Sequence, residues 1–177
     1  MNENLVEEII ESGMTFVLDV NSSYRIEKSK NVEKLNNVRI VKFVRLSKGS
    51  VEFVEAKTSA PNPNNPESRD NIQMFITEIR EKFQNSISLL NAAVIKRRKE
   101  IFDELPVPMQ KYNWAKADYK LYLIIKNHEE KWLDQLSPLI KKEVKPFLKC
   151  WNIPDINFKI INEELAKELN VVKNLEA

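Results

Sequence analysis

Two apolar stretches in the first half of the chain are separated by a short polar turn. Residues 38–46 read VRIVKFVRL, residues 51–57 read VEFVEAK, and the tetrapeptide SKGS joins them. Both stretches are rich in the β-branched and aromatic residues that favour extended strands. Gly49 is free to take the positive φ that a tight turn requires. The pattern predicts a β-hairpin.

The segment before this hairpin predicts one helix and two further strands. Residues 4–12 are interpreted as a short helix that ends at Gly13. Residues 15–20 and 24–26 are apolar and rich in β-branched residues, and a polar Asn-Ser-Ser turn lies between them. They are predicted to be strands because such runs, bounded by turn residues, are typical of β structure.

A long amphipathic helix is predicted after the hairpin. Residues 60–68 (APNPNNPES) contain three prolines and three asparagines, a composition typical of a loop. From Arg69 onward, apolar residues recur at spacings of three and four, which places them on one face of a helix. We expect this helix to run to about Leu105, before Pro106, with a buried stripe of Ile72, Phe75, Ile76, Ile79, Phe83, Ile87 and Leu90.

The second half of the chain alternates strands and helices. Residues 119–126 (YKLYLIIK) are predicted to form an interior strand and residues 129–151 a helix. Residues 156–161 (INFKII) predict a last strand and residues 163–169 a closing helix. This alternation indicates an α/β domain with helices flanking a mixed sheet. At 177 residues, the chain suits one domain.

Charge and composition narrow the classes of function only slightly. The net charge is +2, from 28 basic and 26 acidic side chains, so charge alone does not indicate nucleic-acid binding. Two glycines, Gly13 and Gly49, stand too far apart for a phosphate-binding glycine loop. One cysteine, an acidic start and no apolar run of membrane-spanning length lead us to expect a cytoplasmic protein with no membrane partner.

The sequence VEFVEAK places an acid and an amine at the end of an apolar strand. Side chains at positions i and i+2 of a strand point to the same face, so Glu55 and Lys57 share a face with Val51 and Phe53. A carboxylate is a hard oxygen ligand suited to Mg²⁺. A lysine can stabilise a developing phosphorane or help to orient the attacking water. We interpret Glu55 and Lys57 as a candidate catalytic pair.

A hairpin that ends in Glu-x-Lys, followed by a long helix and another strand, resembles the PD-(D/E)XK superfamily of nucleases and restriction endonuclease-like domains. The resemblance implies an αβββαβ core over residues 4–126, with residues 127–170 as a C-terminal α/β extension of one domain that spans residues 1–177. It also implies Mg²⁺-dependent hydrolysis of DNA phosphodiester bonds. DNA is then the expected partner, and a homodimer or a protein partner stays open.

The family site includes further acids, and one of them is replaced here. The Asp expected on the preceding strand falls near position 42, where this chain has Lys42. Glu27 is the best match for a second metal-binding acid, and Asp19 is the runner-up. The resemblance therefore implies Glu27, Glu55 and Lys57 as catalytic residues, with Glu27 and Glu55 as metal ligands.

Three alternatives follow from the replacement at position 42. Glu27 and Glu55 together hold one metal ion in a weakened or unusual nuclease. Alternatively, the Lys42 ammonium fills the space of the missing cation and pairs with Glu55, which leaves a catalytically inactive domain that binds protein or nucleic acid. In the third alternative the domain is an interaction module, and the Glu-x-Lys sequence has no role in its function.

A few other residues have both a functional and a structural interpretation. The basic run Lys96, Arg97, Arg98 and Lys99 is either a solvated helix end or a contact to nucleic-acid phosphates. His128 is interpreted as a solvated loop or cap residue and Cys150 as a core thiol. The scattered tryptophans Trp114, Trp132 and Trp151 are interpreted as core or interface residues.

Overall fold

The computed structural model describes residues 5–173, excluding the side chain of Glu130. The strands are β1 (Val6–Glu11), β2 (Met14–Asp19), β3 (Ser23–Tyr24), β4 (Phe43–Ser47), β5 (Ser50–Lys57), β6 (Asp118–Ile125) and β7 (Phe158–Asn162). The α-helices are α1 (Lys30–Glu33), α2 (Arg69–Val94), α3 (Lys99–Phe102), α4 (Val107–Lys111), α5 (Glu130–Cys150) and α6 (Glu163–Glu168). No helix among the described residues is long and apolar enough to cross a membrane.

A mixed five-stranded sheet in the order β3-β4-β5-β6-β7 organises the domain, which confirms the predicted α/β class. The β3-β4 and β4-β5 pairs are antiparallel, whereas β5-β6 and β6-β7 are parallel. The predicted hairpin is β4-β5, and it turns through Lys48 and Gly49, both at positive φ (48° and 81°). Its first strand begins at Phe43 rather than at residue 38, because residues 38–42 lie outside the regular β4-β5 pairing.

The predicted helix over residues 4–12 is wrong. Its described residues form β1, which pairs antiparallel with β2 through a turn in which Ser12 and Gly13 take φ of 52° and 75°. Asn4 lies outside the described residues. The segment reads VEEIIE, and Ile9 is buried against the main sheet while Ile10 is 74% exposed. Tertiary burial of one face therefore outweighs the local helix preference of the glutamates.

Each face of the main sheet has its own core. Val51 and Phe53 of β5 point to the face covered by α2 and α5. Val54 and Ala56, on the opposite side of the same strand, pack in a second core that includes the β1-β2 hairpin and α6. Both sides of β5 are therefore buried, as is typical of an interior strand whose sheet is covered on both faces. Glu55 lies on the α2 side because it follows Phe53 by two residues.

The long helix α2 begins at Arg69, as predicted, but ends at Val94 instead of near residue 105. The termination is a Schellman arrangement: Lys96 takes φ of 60°, and the Arg97 amide donates to the Ala92 carbonyl at 2.8 Å. Glycine is the usual residue at such a position, so a lysine there left no sequence signal for the end of the helix.

The C-terminal extension belongs to the main sheet. β7 pairs in parallel with β6, and Leu121 lies opposite Phe158. α5 runs between these strands and packs against α2 and β7. Residues 127–170 therefore complete the sheet started by the predicted core, which positions the carboxyl ends of β5, β6 and β7 along one edge.

Candidate functional site

Glu55 and Lys57 lie at the carboxyl end of β5, on the face covered by α2. The Glu55 side chain is fully buried, whereas Lys57 is partly exposed. The Lys57 Nζ atom lies 3.9 Å from Glu55 Oε1 and makes its shortest contact with Glu78 of α2. The predicted pair is thus brought together on one face, and α2 adds a further carboxylate.

Lys42 lies on this same face. The last regular β4-β5 pair is Phe43 with Val54, and the Lys42 amide, one residue earlier, donates to the same Val54 carbonyl at 3.0 Å. The Lys42 Nζ atom pairs with Glu27 at 2.8 Å and lies 3.5 Å from Glu11. The expectation that its ammonium pairs with Glu55 is therefore wrong. Glu27 reaches it from the 3₁₀ turn that precedes α1.

The acidic side chains around Lys42 affect the pKa of its ammonium group. Burial by itself lowers the pKa of the Lys42 ammonium, but the hydrogen bond and charge of Glu27, with the charges of Glu55 and Glu11, outweigh it and raise the pKa above its ordinary value. Lys42 is therefore positively charged throughout the neutral range. A positive charge stands where the resemblance expects a metal-binding acid.

The cation that contacts Glu55 most closely is Lys82 of α2, which sequence reasoning missed. Its Nζ atom lies 3.1 Å from Glu55 Oε1 and 3.8 Å from Glu27 Oε1. The same atom donates a hydrogen bond of 2.9 Å to the carbonyl of Ile40. One ammonium group therefore lies between the two carboxylates that were predicted to bind metal.

The sequence did contain a signal for Lys82. The buried side of α2 includes Phe75, Ile79, Ser86 and Leu90. Lys82 falls within this series at helical spacing, so it is a charged residue on an apolar stripe. A lysine is seldom buried unless it is paired with an acid. Because α2 follows the strand that contains Glu55, the sequence pointed to Glu55 as the partner of Lys82.

The pKa of the Glu55 carboxyl group is shifted from its ordinary value. Burial raises the pKa of its carboxyl group to about 7, against the opposing charges of Lys82, Lys57 and Lys42. Lys82 lies close to one oxygen, yet neither oxygen accepts a hydrogen bond of good geometry from any group in the described part of the chain. Glu55 is thus a buried acid poised to exchange its proton near neutral pH.

The runner-up acid does not reach this site. Asp19 accepts hydrogen bonds from the Asn21 amide and the Ser22 hydroxyl, so it closes the turn after β2. Glu11 approaches the site instead, and Arg25 pairs with it at 3.4 Å. Sequence reasoning did not single out Glu11, because its segment was interpreted as a helix.

A cavity of about 420 Å³ opens beside Lys82 and the partly exposed carboxylates of Glu27 and Glu78. Its lining includes Glu27, Glu78, Lys82 and Arg39. The paired charges are therefore reachable from the surface through a polar opening. Within residues 5–173, no group of three or more histidine, cysteine, aspartate and glutamate side chains is arranged as a ready metal site.

The predicted basic run lies far from Glu55. Lys82 and Lys96 are fourteen positions apart along α2, which corresponds to about 21 Å at the helical rise. Two members of the run are paired with acids, Arg98 with Glu100 at 3.4 Å and Lys99 with Asp103. The run and the Glu55 site therefore face different ends of the sheet.

His128 and Cys150 differ from expectation. His128 is buried rather than solvated, burial lowers its pKa, and its Nε2 atom has no hydrogen-bond partner among the described groups. Cys150 is exposed rather than in the core. Trp114 and Trp151, scattered in sequence, line one cavity at the amino end of β6.

Comparison of the chain with protein families, curated proteins and solved structures gave no match.

The raised pKa of Glu55 predicts a specific pH dependence of stability. A buried carboxyl group that is protonated in the folded state but ionised in the unfolded state makes the folded protein lose stability as pH rises from about 4.5 to about 7. At 1.36 kcal/mol per pKa unit, the loss is about 3 kcal/mol. Denaturant unfolding of wild type and Glu55→Gln across this range measures the difference.

The control for this experiment is Glu52→Gln on the same strand. Glu52 points to the opposite face and pairs with Arg45 at 2.7 Å. We expect the stability difference between wild type and Glu55→Gln to change steeply with pH and the difference for Glu52→Gln to lack this step. Parallel profiles for the two variants would contradict the assignment of the titration to Glu55.

Proposed function

We propose that this chain is a PD-(D/E)XK-like nuclease-fold domain in which the Lys82 ammonium takes the place of the catalytic cation, so that it binds nucleic acid without metal-dependent cleavage. The observation that carries this proposal is the position of Lys82 Nζ, 3.1 Å from Glu55 and 3.8 Å from Glu27. Its hydrogen bond to the Ile40 carbonyl holds it there. An internal cation thus lies within ion-pair distance of both carboxylates.

Bound Mg²⁺ would be held by Glu27 and Glu55 and would supply Lewis-acid stabilisation of a phosphoryl oxygen. The residues present do not fit it well, because Lys82 and Lys42 both lie against these carboxylates. At 4 Å and an effective dielectric near 20, a dication repels each ammonium by about 8 kcal/mol. Two ammonium groups thereby offset the attraction of two carboxylates, and poor metal affinity follows.

Support for nucleic acid as the partner comes from the basic residues that are not engaged at Glu55. Lys96, Arg97, Arg98 and Lys99 are all exposed at the end of α2. Contacts of this kind are made to phosphates and carry little sequence preference. We therefore expect binding that weakens steeply with salt.

A second candidate function is Mg²⁺-dependent phosphodiester hydrolysis by Glu27, Glu55 and Lys57. One observation favours it: the Glu55 oxygens accept no hydrogen bond of good geometry within the described residues, although the side chain is fully buried. Carboxylate oxygens with unused lone pairs are suited to a cation that displaces Lys82, which itself lines the neighbouring cavity.

Metal titration separates the two functions. We expect wild type to bind neither Mg²⁺ nor Mn²⁺ in the micromolar range by calorimetry. Lys42→Asp removes one ammonium and restores the acid of the family pattern, so it should tighten Mn²⁺ binding by at least about tenfold, since each charge interaction here amounts to several kcal/mol. Adding Glu55→Gln to Lys42→Asp should abolish the gain.

The matched control is Lys34→Asp, the same change of charge at an exposed residue near α1. It should leave metal binding as weak as in wild type. Micromolar Mn²⁺ binding by wild type, together with metal-dependent DNA cleavage that is lost in Glu55→Gln, would overturn the proposal in favour of the second candidate. No metal binding in Lys42→Asp and none in Lys42→Asp combined with Lys82→Met would count against Glu27 and Glu55 as a shared cation site.

A further inference from the structure

A second cavity lies at the end of the sheet opposite Glu55. It has a volume of about 570 Å³ and is bounded by the end of α2, the segment before β6 and the turn after α5. Its lining includes four aromatic residues, Tyr112, Trp114, Tyr119 and Trp151, together with the amides of Asn113 and Asn152. Its volume and its mixed lining are typical of a small-molecule site.

Most of the aromatic side chains are fixed in place by their polar atoms. The Tyr112 hydroxyl donates to the Gly49 carbonyl at 2.7 Å, the Trp114 indole to the Met109 carbonyl at 2.8 Å, and the Tyr119 hydroxyl to an Asn91 oxygen at 3.1 Å. Because these donors are used within the protein, the rings offer the cavity mainly apolar surface. Trp151 is the most open of the four, at 37% exposure.

The polar part of the lining is formed by amides rather than by free charges. An amide presents both a donor and an acceptor, which suits the edge of a nucleobase. The acid in the lining, Asp118, accepts a hydrogen bond from Asn157 at 2.7 Å and has Lys120 at 3.9 Å. Its negative charge is thereby partly neutralised. The cavity suits a planar, neutral ring with hydrogen-bonding groups at its edge.

Three exposed lysines, called the basic rim, are next in the chain to residues that line the cavity. Lys96, Lys111 and Lys116 are exposed, and each is the chain neighbour of a lining residue, respectively Ile95, Tyr112 and Ala115. Lys96 also begins the basic run that continues through Lys99. Exposed lysines thus flank the segments that line an aromatic cavity, and basic residues combined with aromatic rings are found in proteins that bind single-stranded nucleic acid.

We infer that this cavity binds an unpaired nucleobase of a single-stranded nucleic acid, with the neighbouring phosphates on the basic rim. The identity of the ligand rests on the proposed nucleic-acid function, whereas the site is new and independent of Glu55. Duplex DNA should bind less well, because its bases are stacked and paired and do not reach an aromatic cavity.

Fluorescence anisotropy with a labelled ten-nucleotide oligodeoxythymidine tests the inference. Trp151→Ala should weaken binding by at least about fivefold, the lower limit for removal of one base-stacking interaction. Trp151→Leu, which keeps apolar bulk, should also weaken it and guards against a folding defect. The control Trp132→Ala removes a tryptophan that lies outside this cavity, beside His128, and should leave binding unchanged.

The rim is tested by charge and salt. Lys111→Glu combined with Lys116→Glu should weaken oligonucleotide binding and reduce the slope of log K against log salt, by about 0.7 for each phosphate that the protein no longer neutralises. Thymidine monophosphate should compete in the cavity if a free nucleotide suffices, and a matched duplex should compete poorly. Equal affinity for duplex and single strand would overturn the inference.

The outcome is separable from that of the metal titration. Lys34→Asp, the control of the metal titration, should leave oligonucleotide binding unchanged, because Lys34 is exposed near α1 and outside this cavity. No oligonucleotide binding by wild type, or binding unaffected by both Trp151 variants, would overturn the inference and leave the Lys82 proposal standing on its own result. Binding that is lost in Glu55→Gln would place the nucleic acid at the Glu-x-Lys site instead.

Discussion

Replacing Lys82 with methionine is expected to destabilise the protein by about 1–2 kcal/mol at pH 8, because a Glu55 carboxyl group with a pKa of about 7 then takes up a proton, at a cost of about 1.36 kcal/mol per pH unit. Lys82 has only 9% of its side chain exposed and contacts Glu55, which has none exposed. Methionine keeps the length and the apolar stem of the side chain but leaves the Glu55 carboxylate without its nearest cation. Denaturant unfolding measures the loss.

The same substitution should cost less at low pH. Because burial raises the pKa of Glu55 to about 7, its carboxyl group is neutral at pH 5 and no longer needs the ammonium. The double variant Lys82→Met with Glu55→Gln should regain much of the stability lost at pH 8, since it carries neither charge. Lys141→Met, an exposed position on α5, is the control and should change stability by well under 1 kcal/mol.

Two results would contradict this account of Lys82. One is a loss below about 1 kcal/mol at pH 8, which would mean that solvent or Lys57 already compensates Glu55. The other is a loss that does not depend on pH, which would indicate that packing of the lysine stem, and not its charge, stabilises the site.

Phe16→Ala is expected to destabilise the protein by about 3–5 kcal/mol, as is usual for truncation of a buried phenylalanine. Phe16 of β2 is fully buried and packs edge-to-face against Phe43 of β4, with ring centroids 5.2 Å apart. This contact joins the β1-β2 hairpin to the main sheet. The cost includes the cavity that remains between two rigid strands.

The control for Phe16 is Ile10→Ala on the neighbouring strand. Ile10 is 74% exposed, so its loss should change the free energy of unfolding by less than about 1 kcal/mol. Amide hydrogen exchange gives an independent measurement, because β1 and β2 should lose protection in Phe16→Ala. A loss below about 1 kcal/mol in Phe16→Ala would mean that the hairpin is not part of the cooperative core.

Several elements follow from the residues alone because their causes are local. The β4-β5 hairpin is one example: the turn at Lys48 and Gly49 and the β-branched runs on either side dictate it. The start of α2 at Arg69 after a proline-rich loop is another. The shared face of Glu55 and Lys57 follows from the period of two in any strand. These predictions needed no knowledge of what packs against them.

Other elements depend on contacts that are distant in sequence. Residues 5–12 have no local feature that decides between helix and strand, and burial of Ile9 against the sheet settles it. The end of α2 depends on the left-handed conformation of Lys96. A glycine at this position would have predicted the end of the helix, whereas a lysine does not. Trp114 and Trp151 are far apart in sequence, and only the docking of α5 beside β6 brings them to one cavity.

The sequence by itself determined the class of the fold, the central hairpin, the long helix and the Glu-x-Lys pair at the end of a buried strand. The tertiary structure determined which charged side chains pair with one another. The path of the chain before β4 placed Lys42 beside Glu27, and the packing of α2 on that face placed Lys82 between Glu55 and Glu27. The physical reason is that period and propensity act between neighbours along the chain, whereas electrostatic partners are chosen by packing between separate elements.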